Sequence, residues 1–176
     1  VLPYFRKMET DRDYDGPMHG QDGPMRLQRI FADRWPGFTT GFMAAAKEQG
    51  WKEIKDKNAD FSDGYFPIAV AHADGKRIST ATAYLTAEAR ARPNLDILGE
   101  ARAEKLLLSG TQVTGVKIHR KGQVFDINAG EVIVSGGALQ SPALLLRSGI
   151  GPASELADLG IDVALDKPGV GKHLME

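Results

Sequence analysis

The chain contains no cysteine, which excludes disulfides, thiolate metal sites and cysteine nucleophiles. That composition fits a reducing compartment, and a cytoplasmic setting is expected. No apolar run approaches the roughly 18–20 residues that span a bilayer, so no membrane segment is expected in this chain. Neither sign of charge dominates. Lys and Arg number 22 and Asp and Glu 23, for a net charge of −1 and a pI near 6.5. A near-neutral chain has no electrostatic footprint for nucleic acid or anionic membranes, so neither is expected as a partner. The N-terminal run Val1-Leu2-Pro3-Tyr4-Phe5-Arg6 has no basic stretch leading into an apolar one, and it begins without Met. Sequence upstream is therefore expected. What is present is ordinary for a folded chain. A length of 176 residues allows one domain or two small pieces, and hydrophobic (42%) and charged (26%) fractions argue against general disorder.

Several chemical motifs can be rejected on spacing. Gly149-Ile150-Gly151-Pro152-Ala153-Ser154 lacks a third glycine and follows no strand, so it is not a dinucleotide fingerprint. Gly171-Lys172 is not a P-loop, because Asp166 stands where the first glycine belongs and His173 where Ser or Thr belongs. His19, His72, His119 and His173 have no metal-ligand spacing and read as surface or partly packed side chains. No metal site is expected. No Gly-x-Ser-x-Gly elbow exists, which weakens a hydrolase reading. Phe31, Trp35, Phe38 and Phe42 read as core rather than pocket lining.

The pattern changes character near Arg77. Before it, helical spacing marks Pro3 to Glu9, a long loop runs from Asp11 to Pro24, and Pro36 begins a helix that stops at Gly50. Tyr65 to Ala71 reads as an edge strand interrupted by Pro67, followed by a turn at Ala73-Asp74-Gly75-Lys76. After it, Thr80 to Arg92 reads as one helix and Leu95 to Leu98 as a short strand. Glu104–Ser109, Val113–His119 and Gln123–Asn128 form an expected meander with turns at Ser109-Gly110 and Lys121-Gly122. Val132–Ser135 reads as a buried parallel strand, and Ser141-Pro142 as the start of a helix ending at Gly149. A second short helix ends at Gly160, and Ile161–Leu165 reads as a strand. The glycines between strand and helix suit close approach of a ligand to the backbone, or simply tight packing of strand on helix.

The run from Ser135 through Gly136, Gly137, Ser141, Pro142, Ser148 and Gly149 to Pro152 closely resembles the second signature of the glucose–methanol–choline (GMC) oxidoreductases. Val1–Glu9, His19–Pro24, Arg77–Leu85, Arg92–Leu95 and Pro168–Leu174 resemble the same family in the same order. The resemblance covers nearly the whole chain and is weakest from Arg26 to His72. It implies a choline dehydrogenase-like internal fragment of an FAD-dependent enzyme that oxidises the CH–OH group of a small-molecule alcohol. The fold implied is α/β (α+β mixed), part of a Rossmann-like FAD-binding domain with a portion of a substrate-binding domain. Residues 1–16 would connect, 17–76 would belong to the substrate-binding domain and 77–176 to the FAD-binding domain. The implied cofactor contacts are Ala103, Ser135, Gly136 and Gly137. Ala103 would meet the adenine half of FAD through its backbone, and the other three would approach the flavin cofactor. The family's Gly-x-Gly-x-x-Gly turn and its catalytic histidine find no counterpart here, so no histidine of this chain inherits that role. Two other readings stand beside this one. They are a self-contained, non-catalytic α+β ligand-binding module and a nicotinamide-dependent Rossmann enzyme, the latter disfavoured by the missing glycine turn.

FAD therefore belongs to the full-length protein, and residues 1–176 alone are expected to hold none and to oxidise no alcohol. Steady-state turnover with choline, glucose and aryl alcohols, expected at buffer background, checks this.

Overall fold

Two sets of internal packing organise the chain, one over Val1–Asp96 and one over Ile97–Glu176. The division falls later in the chain than the change of sequence character at Arg77. The structure, a computed structural model, describes residues 1–175.

In the first unit, helix α1 (Leu2–Met8) runs directly into strand β1 (Glu9–Asp11), which pairs in parallel with β2 (Met25–Leu27). The loop between the two strands folds back onto α1. A Cβ on Gly20 would collide with the Arg6 carbonyl, and one on Gly23 with the backbone of Met8 and Glu9. Only glycine permits that approach. The Gly20 amide donates to Glu9 Oε1 at 2.9 Å, which ties the loop to β1. Helix α2 (Gly37–Glu48) begins directly after Pro36, and the chain reverses at Gly50 with φ +77°. Strands β3 (His72–Ala73) and β4 (Lys76–Arg77) close the expected turn, with positive φ at Asp74 and Gly75 as a tight hairpin requires.

Several expectations for this unit are corrected. Tyr65–Ala71 is not a strand. It makes isolated bridges at Tyr65 and Val70 only, as expected where Pro67 cannot donate to a ladder. The helix expected over Thr80–Arg92 is two helices, α3 (Thr80–Tyr84) and α4 (Ala87–Arg90). The Thr86 side chain accepts the Ala89 amide and starts the second, so a cap competes successfully with helix continuation. Leu95–Leu98, which runs across the boundary between the units, forms no ladder. The aromatics of α2 are not core: Phe38 is 86% and Phe42 51% exposed, and Ala46 alone is buried on that helix.

The centre of this unit is ionic. Arg29 is 1% exposed and donates to both carboxylate oxygens of Asp11, at 2.8 and 2.9 Å, and to Asp56 at 3.0 Å. His19, expected near the surface, is 2% exposed, with Nε2 2.6 Å from Asp56 Oδ2 and Nδ1 3.2 Å from Asp11 Oδ2. Glu9 Oε1 is 3.5 Å from the same Nδ1, so isolation in sequence concealed three carboxylates drawn around His19 by the fold. Burial opposes ionisation of Asp11. The amides of Asp13 and Tyr14 and the Arg29 guanidinium outweigh that cost, and the carboxyl lies below its ordinary value.

The second unit is built on an antiparallel meander of β5 (Ala101–Ser109), β6 (Gln112–Arg120) and β7 (Gln123–Asn128). Both expected turns are present, with positive φ at Gly110, Lys121 and Gly122. Helix α5 (Gly137–Arg147) lies against β5, where Leu106 and Leu144 are buried. Gly149, at φ +80°, ends it in the left-handed cap expected. Strand β8 (Ile150–Gly151), helix α6 (Ala153–Asp158) and strand β9 (Leu165–Asp166) then form a small parallel unit.

Three corrections apply here. Val132–Ser135 forms no ladder among the described residues, and Ile133 is 82% exposed. Burial still alternates along it with the period of an extended chain, so the apolar run reported face preference and not a hydrogen-bonding partner. Helix α5 begins at Gly137 rather than Ser141, because the chain turns at Gly137 with φ +83°. Pro142 is therefore inside the helix, where its missing N–H leaves the Ala138 carbonyl without its usual partner. Ile161–Leu165 shrinks to Leu165–Asp166, since the Ile161 amide closes the end of α6 on the Leu156 carbonyl.

Replacing Arg29 with Met leaves Asp11 and Asp56 buried without their cation and is expected to cost about 3–5 kcal/mol in urea unfolding at neutral pH. Because the folded value of Asp11 lies below its ordinary 3.8, its stabilising contribution is complete above that value and is lost as pH falls through it towards the folded one. Repeating the titration in acid should show the wild-type advantage shrinking.

Candidate functional site

Small residues and long side chains, among them the carboxylate of Glu104, share the face that β5 and α5 present together. Ala101, Ala103 and Gly136 line a cavity of about 870 Å³, with Arg102, Gln140 and Arg147 also on its walls. The volume lies within the range of about 300–1,000 Å³ common for ligand sites. Of the four expected cofactor contacts, the fold thus brings Ala103 and Gly136 together. Ser135 and Gly137 flank Gly136, are exposed, and are not part of the lining.

Local structure explains the geometry. Gly136 has an ordinary φ of −79°, and its amide donates to Ser141 Oγ at 2.9 Å. A Cβ there would stand 3.2 Å from Gln140 Cβ and from the Ser141 nitrogen, so a side chain fits poorly. The free amides at the start of α5 give this end of the cavity a partial positive charge. Arg102 is paired with Glu104 at 3.0 Å. Arg147 donates Nε–H to the Glu104 carbonyl at 2.8 Å and Nη2–H to the Ala103 carbonyl at 3.3 Å. The helix N-terminus favours electronegative ligand groups at this end of the cavity.

Below the cavity, Ser148 joins helix to strand. Its hydroxyl accepts the Leu106 amide at 2.7 Å and donates to the Leu144 carbonyl at 2.6 Å, and the residue is buried. Sequence reasoning passed over Arg147, Gln140 and Ser148 as functional residues. Only the signature resemblance included them, and nothing local indicated that they would meet β5.

The GMC oxidoreductase profile matches residues 1–176. The chain belongs to the GMC oxidoreductase family. It is 48% identical over 177 residues to 5-(hydroxymethyl)furfural oxidase of Methylovorus sp. (strain MP688), covering 100% of this chain and 33% of that protein. It is 39% identical over 184 residues to the oxygen-dependent choline dehydrogenase of Sinorhizobium fredii (strain NBRC 101917 / NGR234), covering 100% of this chain and 32% of that one. Among solved structures it is similar to pyridoxine 4-oxidase from Mesorbium loti, with a TM-score of 0.87, 32% identity, and coverage of 95% of this chain and 33% of that one. The chain spans about a third of the length of the curated relatives it matches. Membership in the GMC family bears out the mixed α/β reading and gives no support to the stand-alone module. Among the described residues, no helix of this GMC chain is long and apolar enough to cross a membrane.

Ser148→Ala leaves the buried Leu106 amide unpaired and is expected to cost about 1–3 kcal/mol. Thermal unfolding read by circular dichroism checks this.

Proposed function

We propose that the full-length protein oxidises the CH–OH group of a small alcohol with hydride transfer to FAD, and that this chain supplies part of the seat for FAD. The observation that carries this reading is the convergence of Ala103 and Gly136 on one cavity in a chain of the GMC family. The residues present suit a dinucleotide. A helix N-terminus, the edge of β5 and the small residues Ala101, Ala103 and Gly136 are among the cavity walls, and a Cβ at Gly136 would stand 3.2 Å from Gln140 Cβ. Bound FAD would supply the hydride acceptor, chemistry that no side chain offers.

In this reading Ala103 presents backbone to the adenine half, and Ser135, Gly136 and Gly137 approach the flavin cofactor. We assign residues 17–76 to the substrate-binding domain and 77–176 to the FAD-binding domain. No catalytic residue is assigned to this chain. Three of its four histidines have other partners or positions: His19 is buried against Asp56, His72 meets Gln28 at 2.6 Å, and His119 pairs within the meander. The similarity to an oxidase of 5-(hydroxymethyl)furfural and to choline dehydrogenases supports a primary-alcohol substrate. A cytoplasmic setting is proposed from the cysteine-free composition.

The test uses the full-length protein. Wild type should purify yellow and oxidise 5-(hydroxymethyl)furfural or choline. Gly136→Leu should weaken FAD about tenfold, equivalent to about 1.4 kcal/mol of lost contact, while His119→Ala keeps wild-type flavin content. The flavin-to-protein absorbance ratio of the three proteins reads this, and a folded Gly136→Leu protein with normal flavin would place the cofactor elsewhere.

A further inference from the structure

The pairing of β5 with β6 slips at two points, once between Leu107 and Leu108 and once at the cavity, between Ala103 and Lys105. Ala103 lies opposite Ile118 and Lys105 opposite Lys117, so two consecutive residues of β6 face three of β5 and Glu104 has no partner. Such a bulge bends a strand and re-aims its backbone, and it leaves backbone groups without ladder partners. β5 is also an outer strand of the meander, so among the described residues one edge has no strand beside it. Both conditions leave Ala103 and Glu104 free to twist.

The end of α5 removes that freedom. Arg147, the last residue of the helix, donates to the carbonyls of Ala103 and Glu104. Ser148, the next residue, takes the Leu106 amide. Two adjacent residues therefore hold three backbone groups across the bulge. A guanidinium is a rigid planar fork, so its two donors set the spacing and tilt of the two carbonyls they bind. A carbonyl has two lone pairs, and Ala103 can serve both Arg147 and a ligand donor. Arg147 also lines the cavity, where a seated ligand would cover it and exclude competing water.

We infer that Arg147 is a positioning residue for FAD: by clamping the β5 bulge, it fixes the Ala103 backbone in the orientation that receives the adenine half. This rests on the functional reading above. Arg147 touches no reacting atom and acts through Ala103.

The test compares full-length wild type, Arg147→Met and Arg147→Lys after removal of flavin, with affinities measured for FAD, ADP and FMN. Met keeps an apolar stem and loses every donor. Arg147→Met should weaken FAD and ADP about tenfold, with FMN affinity and the apo-protein's thermal midpoint unchanged. Arg147→Lys, which keeps one charged donor, should recover part of the loss and carries the test if Arg147→Met does not fold. Wild-type affinity for FAD and ADP in the folded variants would overturn the inference. So would equal losses for ADP and FMN accompanied by a lower midpoint, which would mark a purely structural role. Wild-type protein that takes up no FAD would overturn the functional reading itself, before any variant is compared.

Discussion

A buried backbone amide must find an acceptor, and at Leu106 that acceptor is the Ser148 hydroxyl. Much of the second unit follows from this pairing. It fixes the end of α5 against β5, and with the end fixed the start of the same helix is carried to the other wall of the cavity. The bulge at Glu104 and the helix stop at Gly149 meet at this junction. The serine spends its own proton on the Leu144 carbonyl, so no polar atom of the hydroxyl is left unpaired.

The first unit solves a different problem in a costlier way. Arg29, Asp11, Asp56 and His19 are all buried, and taking charges out of water costs several kcal/mol for each ion. The arrangement tolerates this because the guanidinium meets Asp11 with two hydrogen bonds and Asp56 with a third, while backbone amides serve Asp11 as well. Such a centre joins loop residues distant in sequence, which a small apolar core would do less selectively. Gly20 and Gly23 belong to the same construction, since their lack of a side chain lets the loop bearing His19 lie on α1.

Membership in the GMC oxidoreductases comes from similarity along the whole chain. The cavity comes from the fold and is independent of it: Ala103 and Gly136 are far apart in sequence, and their meeting depends on the meander and on the helix that crosses it. Two of the four residues singled out by resemblance, Ala103 and Gly136, line one cavity.

Sequence alone determined the features that are encoded within a few residues. The turns at Asp74-Gly75 and Lys121-Gly122, the stops at Gly50 and Gly149 and the meander were legible because positive φ and alternating apolar residues are local demands. The family was legible for the same reason, as a long run of matching residues. Tertiary structure decided whatever needs a partner from elsewhere. Val132–Ser135 had the composition of a strand, but a strand is made by its neighbour's hydrogen bonds, and composition names no neighbour. His19 looked isolated because its carboxylates arrive from β1 and from Asp56. Nothing local marked Arg147, since the carbonyls it holds belong to β5, more than forty residues earlier in the chain. Local backbone preference can be read from a few residues. Long-range hydrogen bonding and charge pairing arise only when distant segments meet.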